Sequence, residues 1–390
     1  MKKIIIFAGI FIVTISLVYA VTVWVLFSIM TAEPYPSIAK SNPLALRPEL
    51  KLTDQNKKTG SRIKVFMLQT GWSRAPFGQF FSGLKGWTGK QALWKMNTAN
   101  DFLWVPVKAI VIIHPEKGPV LIDAGLSREQ TQEGYYSIFK GGRTGFVWKA
   151  EENKLPREQE LVPQLKIIGY SPQDIRHVVL THLHEDHVGD VRQFRDAVVH
   201  VSEIEWQDRE RISYAPGYSM ITKWDFITFN SGRFASFNAS QDLFGDGTVI
   251  LLPAFGHSLG HMGVFVNMGN YQLYIAGDSL YTLRHLATES IASFNYFGEE
   301  GLAVSADTIK RVAALQKEFP GLIIIPPHDL FDYNAKLLAP FLEDGILTAP
   351  ERNQLRSYQN SLFDHTGHLK TEALPRYVPG PEGAVAADIP

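Results

Sequence analysis

The sequence predicts a mixed α/β domain carried behind an amino-terminal membrane helix, and three observations predict it. Short apolar, β-branched runs recur along the chain, and several of them end in a histidine or an aspartate. One such run delivers His182-Leu183-His184-Glu185-Asp186-His187, a segment dense in metal-ligating side chains. Residues 4–30 carry no charged side chain.

Taken in chain order, Ile4 to Met30 exceeds the ~20 residues needed to cross a bilayer at about 1.5 Å per residue. Lys2 and Lys3 flank it on the short side, so the positive-inside rule leaves the amino terminus cytoplasmic and the rest of the chain periplasmic. A cleaved signal peptide ending at Val18-Tyr19-Ala20 is the competing reading. Its apolar region would typically be about 7 to 15 residues, whereas this one stays largely apolar well past Ala20, which favours a retained anchor over residues 1–30. Pro34, Pro36, Pro43 and Pro48 among polar residues make 31–61 an extended linker.

From Ile63 the strand Lys64-Val65-Phe66-Met67-Leu68 opens the folded domain. The stretch 70–103 is rich in aromatics, among them Trp72, Phe77, Phe80, Phe81, Trp87, Trp94 and Phe102. It reads as a lid or apolar wall, or equally as core or membrane-facing surface. Residues 126–165 form an insertion with a turn at Gly141-Gly142. Asp174 to Leu180 runs into an apolar strand, and Val188-Gly189-Asp190 is expected to open a helix. Ser202 to Trp206 reads as strand into helix. Val249 to Pro253, Tyr271 to Ile275 and Leu322 to Ile325 read as strands, and Ser305 to Phe319 has helical apolar spacing at Ile309, Val312, Ala313 and Leu315. Two helical stretches follow Pro340, and the tail from Leu374 is rich in Pro, Gly and Ala.

Composition excludes several classes. A net charge of −1 with dispersed Lys and Arg gives no electrostatic footprint for nucleic acid. With no cysteine in 390 residues there are no disulfides, thiolate ligands, cysteine nucleophile or lipid-bearing cysteine. Any metal is held by His and carboxylate. Crowding three imidazoles and an Asp into one turn strands several polar groups unless their lone pairs converge on cations. One loop cannot complete a catalytic site, so ligands are expected from other strand ends. His257, Asp278 and His328 each stand just beyond an apolar run and are the candidates.

This order of motifs resembles the metallo-β-lactamase fold superfamily over roughly residues 62–345, with 346–390 as a helical extension and tail. Pro119-Val120-Leu121-Ile122-Asp123-Ala124-Gly125 is similar to the superfamily's strand ending in Asp-x-Gly, whose Asp supports a ligand histidine from behind. The resemblance implies a four-layer αβ/βα sandwich with two divalent metals, most simply zinc, at one edge. It implies His182, His184 and His257 on one metal, Asp186, His187 and His328 on the other, and Asp278 bridging them with a hydroxide. His261 is then a supporting histidine, and those at 114, 177, 200, 285, 365 and 368 are ordinary. Iron, manganese or cobalt would also suit such donors.

Within the superfamily, Asp278-x-x-Tyr281 is similar to the N-acyl homoserine lactonase branch, as are Ile168 to Asp174, Val201 to Trp206 and the closing Pro327-His328-Asp329. That branch implies a small-molecule substrate: a metal-held hydroxide attacks a lactone carbonyl, Tyr281 steadies the oxyanion, and Asp186 passes a proton to the leaving alkoxide. Tyr281 as a core aromatic is the other reading. Glu185 departs from the branch, since some lactonases carry an aromatic there, and its charge disfavours long acyl chains. A β-lactamase is the first competitor, although those enzymes lack the bridging carboxylate. A phosphoesterase or thioesterase would use the same site, and a metal-loaded binding module without turnover stands in another class.

Overall fold

The computed structural model describes Tyr19 and residues 48–76, 102–132, 152–209, 216–283, 285–286 and 298–329. Strands β1 (Lys64–Pro76) and β2 (Phe102–His114) form a long antiparallel pair, and β3 (Gly118–Ile122) returns alongside β2. β4 (Glu152–Lys154) adds to the outer edge of β1. On the other side β5 (His177–Val179), β6 (Val198–Ser202) and β7 (Trp224–Ile227) follow β3 in parallel, giving the order β4-β1-β2-β3-β5-β6-β7. β8 (Gln241–Asp242), β9 (Val249–Pro253), β10 (Met262–Asn267), β11 (Gln272–Ile275) and β12 (Leu322–Ile325) build a second sheet in the order β12-β11-β10-β9-β8.

Alternation along the strands explains why the two sheets stack. Val65, Met67, Ile110, Ile112, Val120 and Ile122 point into a core shared with Val264, Val266, Leu273 and Ile275 of the second sheet. Their neighbours Phe66, Leu68, Ala109, Val111 and Leu121 point the other way, into a second core. That outer core is closed by Leu161 and Leu165 of helix α1 (Leu161–Ile167), by Val188 of α2 (Glu185–Val188), and by Val191 and Phe194. Beyond the second sheet, Ile309, Val312 and Leu315 of α4 (Gly298–Glu318) pack onto it, while α3 (Glu203–Gln207) follows β6 directly. Each fully buried aliphatic side chain contributes about 1.5–3 kcal/mol. The helix, sheet, sheet, helix order is the expected sandwich.

Three expectations need adjustment. The helix foreseen from Val188 begins at Glu185 instead, so Asp186 and His187 are carried on α2. The linker ends in a helix of its own, Asp54–Gly60, started by a capping box in which the Asn56 N–H donates to the Thr53 hydroxyl. The strand begun at Lys64 runs on to Pro76, into the aromatic stretch. Among the described residues no helix is long and apolar enough to cross a membrane, and the apolar segment 4–30 lies outside them apart from Tyr19. Residues 77–101, the Gly141-Gly142 turn and everything beyond residue 329 also lie outside them.

The topology gathers chemistry at one edge. β3 and β5 run parallel with Ile122 beside Val179, so Asp123 and the His182 loop leave the sheet together. β11 and β12 run parallel with Ile275 beside Ile325, so Asp278 and His328 emerge at the same level.

Candidate metal centre

The strand ends bring all seven candidate ligands together in two groups. His182, His184, His257 and Asp278 form one, and Asp186, His187 and His328 form the other, with the donor atoms of each group within 4.8 Å of one another. In the first group His182 Nε2 lies 2.9 Å from His184 Nδ1 and 3.1 Å from His257 Nε2, and His184 Nδ1 lies 2.8 Å from His257 Nε2. Three mutually facing ring nitrogens cannot all satisfy one another with protons, because a neutral imidazole offers one donor and one acceptor. Asp278 connects the groups: its Oδ2 is 3.3 Å from His257 Nε2, and its Oδ1 is 3.1 Å from His187 Nε2 and 3.2 Å from His328 Nε2. His187 Nε2 and Asp278 Oδ1 are both buried without a hydrogen bond, although they face each other. Orphaned donors aimed at a common point in a sulfur-free His/carboxylate set fit two divalent cations.

The opposite ring nitrogens fix the tautomers. Asp123 Oδ2 sits 2.8 Å from His187 Nδ1, the Pro106 carbonyl accepts from His328 Nδ1 at 2.7 Å, and the Tyr281 hydroxyl lies 3.0 Å from His257 Nδ1. The carboxylate and the carbonyl, which only accept, hold a proton on Nδ1 of His187 and His328 and turn Nε2 to the centre, while the Tyr281 hydroxyl orients the His257 ring. Asp123 does this from a left-handed backbone, φ 58°, pinned by the Thr181 N–H at 2.7 Å and the Thr181 hydroxyl at 2.9 Å. Gly277 has φ 49°, and a Cβ there would lie 2.7 Å from His261 Nε2, so the turn before Asp278 requires glycine.

Burial holds His182 and His257 well below the ordinary histidine range and lowers His184 as well. Burial works the same way on His187, but Asp278, Asp186 and Asp123 outweigh it and raise that ring well above its ordinary value. For Asp278 burial pushes upward, and His187, His328 and His257 pull it well below the carboxylate range. His182, His184 and His257 are thus neutral, the form of imidazole that ligates metal, whereas the surrounding carboxylates favour the protonated form of His187.

Tyr281 is buried in the main core, yet its hydroxyl reaches the centre through His257. His261 is fully buried against His182 at a ring separation of 4.9 Å, and burial lowers it to about 3. Glu185 is partly buried, and burial pushes its carboxyl up to about 7, while Gln130 donates to its backbone carbonyl. His114 pairs with Asp246 at 2.9 Å, and His177 with His200 at 3.0 Å, away from the centre.

Sequence reasoning missed three supports. Thr181, the Pro106 carbonyl and Glu205 all buttress ligands or the loops that carry them. Glu205 is fully buried, and burial pushes its carboxyl up to about 7. No spacing rule exposes such contacts, because each joins segments far apart in the chain.

The family model for the metallo-beta-lactamase superfamily matches residues 103–343. An N-acyl homoserine lactonase, AttM, of Rhizobium johnstonii is 28% identical over 281 residues, covering 68% of this chain and 93% of that protein. A probable metallo-hydrolase of Mycobacterium tuberculosis is 27% identical over 247 residues, covering 60% of this chain and 77% of its own length. A solved N-acyl homoserine lactone hydrolase, with N-hexanoyl-L-homoserine bound at its catalytic metal center, superposes with a TM-score of 0.54 at 23% identity. It covers 70% of this chain and 95% of that one, a likeness of fold. Because the family model spans most of the described sandwich and more than half of the sequence, this chain belongs to the metallo-beta-lactamase superfamily.

Proposed function

We propose that this protein is a two-metal hydrolase that opens lactones of the N-acyl homoserine class. The carrying observation is Asp278 set between two three-residue ligand groups, with the Tyr281 hydroxyl 3.0 Å from His257 at their rim. Two divalent ions bound there, zinc by donor type, supply a water acidified towards about neutral pH and a Lewis acid for the carbonyl oxygen. The chain's own residues do the rest. His182, His184 and His257 present unprotonated nitrogens, and the Tyr281 hydroxyl, 3.0 Å from His257 Nδ1, is the group placed to donate to a developing oxyanion. Asp186 is the most exposed of the seven ligands' carboxylates, at 19% for its side chain against 5% for Asp278, and it takes and returns the proton to the leaving alkoxide.

The relatives named as N-acyl homoserine lactonases support this substrate class. A β-lactam substrate is the second reading, and the carboxylate between the ligand groups counts against it. Residues 4–30 are proposed to anchor the protein, with the domain on the periplasmic side, a point that protease protection in spheroplasts tests directly.

The deciding experiment uses the purified full chain in detergent. Metal content is measured, and an N-acyl homoserine lactone, nitrocefin, a phosphodiester and a thioester are offered side by side. Two equivalents of metal and lactone opening that vanishes in His182→Ala are expected. Lactone opening that survives in His182→Ala, or a clear preference for another of the four substrates, overturns the reading.

A further inference from the structure

Glu205 lies on α3, outside every metal-ligand motif, and has no exposed surface. Its carboxylate nevertheless joins the two loops that carry the first ligand group. Oε1 accepts the Leu183 N–H at 3.0 Å, and Leu183 is the residue between His182 and His184. Oε2 accepts the Ser258 hydroxyl at 2.8 Å and the Gly260 N–H at 2.8 Å, and these residues stand one and three positions after His257 in its loop. The fit leaves no slack, because a Cβ on Gly260 would lie 2.2 Å from the Glu205 nitrogen. The Leu183 side chain is itself locked in the outer core, so the anchored N–H is a rigid reference point. The second group is held by different means: Asp123 grips His187, and the Pro106 carbonyl grips His328.

We propose that Glu205 is a positioning residue for one half of the centre: it clamps the His182–His184 loop to the His257 loop and so sets the spacing of those three nitrogens. The inference rests on the metal-centre reading above. A carboxylate bonded by three neutral donors suits this task. Its two oxygens offer acceptor sites enough for all of them. A merely structural tie would loosen the whole domain, whereas a clamp on one ligand triad weakens one metal equivalent selectively.

The test is zinc titration of the detergent-solubilised full chain against a chromophoric chelator, which resolves two equivalents in the unaltered protein. In Glu205→Gln the amide NH2 must face at least one of the three donors, so the clamp opens while the volume is kept. One equivalent is expected to bind about 10-fold or more weakly, and the other as before. Equal weakening of both, or of neither, overturns the proposal. If Glu205→Gln does not fold, Ser258→Ala removes a single donor and leaves the carboxylate in place. Selective weakening of the same single equivalent is again expected, and unchanged or uniformly weakened binding again overturns the proposal. The two readings fail separately. Unaltered protein that binds two zinc ions but opens no lactone sinks the substrate assignment and leaves the clamp standing, whereas lactone turnover with wild-type zinc binding in Glu205→Gln sinks only the clamp.

Discussion

Asp123→Asn changes one atom in the support of the second ligand group, and its consequence can be worked out from hydrogen-bond directions. Asp123 Oδ1 accepts the Thr181 N–H at 2.7 Å, while Oδ2 meets the Thr181 hydroxyl at 2.9 Å and His187 Nδ1 at 2.8 Å. In the amide, the oxygen must stay on the Thr181 N–H, since the reverse orientation would set NH2 against N–H. The NH2 then faces His187 Nδ1 and turns it from donor into acceptor. The imidazole proton moves to Nε2, which points at Asp278 Oδ1 across 3.1 Å, and the lone pair meant for the centre is lost. Loss of such a support typically lowers metal affinity about 10- to 100-fold, or about 1.4–2.7 kcal/mol. Folding is less affected. Asn tolerates the left-handed φ of 58° as Asp does, and a charge-assisted hydrogen bond replaced by a neutral one costs about 1–2 kcal/mol, a few degrees of melting temperature. Thermal unfolding in chelator and zinc competition on the same preparation separate the two effects. Asp123→Asn protein that holds both equivalents at wild-type affinity refutes the tautomer argument.

Three further outcomes follow from the same geometry. Tyr281→Phe removes the hydroxyl 3.0 Å from His257 Nδ1, the donor proposed for the oxyanion, so kcat on a lactone should fall about 10²-fold with KM little changed; unaltered lactone kinetics would remove the argument for that branch. Gly277→Ala places a Cβ 2.7 Å from His261 Nε2 and 2.9 Å from the Thr181 Cβ at φ 49°, and should destabilise the fold by at least about 2 kcal/mol in denaturant unfolding; a change below about 0.5 kcal/mol would contradict the packing described. Lys108 is buried, donates to the Pro326 carbonyl at 3.1 Å, and is lowered from 10.5 to about 8 by burial, opposed by Asp329. Its folded value lies below its unfolded one, so between about pH 8 and 10.5 the unfolded chain binds more protons and stability rises with pH, by up to about 3 kcal/mol. Lys108→Met should flatten that slope, and an identical slope in both proteins counts against the assignment.

The clustering of the candidate ligands was legible because the segments that carry them follow apolar runs whose strand character is local. Val178-Val179 before the His182 loop, Leu251-Leu252 before His257 and Ile324-Ile325 before His328 announce themselves by β-branching and aliphatic density alone. Asp123 was legible for the same reason. The start of α2 was not, since Glu185 to His187 has no apolar periodicity, and its one core residue, Val188, comes at the helix's end. The helix at Asp54–Gly60 was hidden behind the polar composition of its surroundings, although Thr53 and Asn56 carried its capping signal. Glu205 was invisible as a functional residue: nothing in Ser202-Glu203-Ile204-Glu205-Trp206 distinguishes the buried glutamate from the exposed one, and only tertiary contact does.

That contrast explains how the centre is put together. Ligands are supplied by sequence-local strand ends, but the distances between them are set by carboxylates that reach across the fold. Asp123, at the end of β3, reaches the Thr181 backbone and His187, and Glu205, on α3, reaches the neighbours of His182, His184 and His257. Glu205 serves the first ligand group, Asp123 grips His187 of the second and reaches His182 only through the Thr181 hydroxyl, and Asp278 lies against both groups. A change at Glu205 should therefore fall mainly on the first group, a change at Asp123 mainly on the second, and a change at Asp278 on both. With the spacing of the candidate ligands set from behind by Asp123 and Glu205, substitutions at Glu185, which neither carboxylate touches, should leave that spacing unchanged.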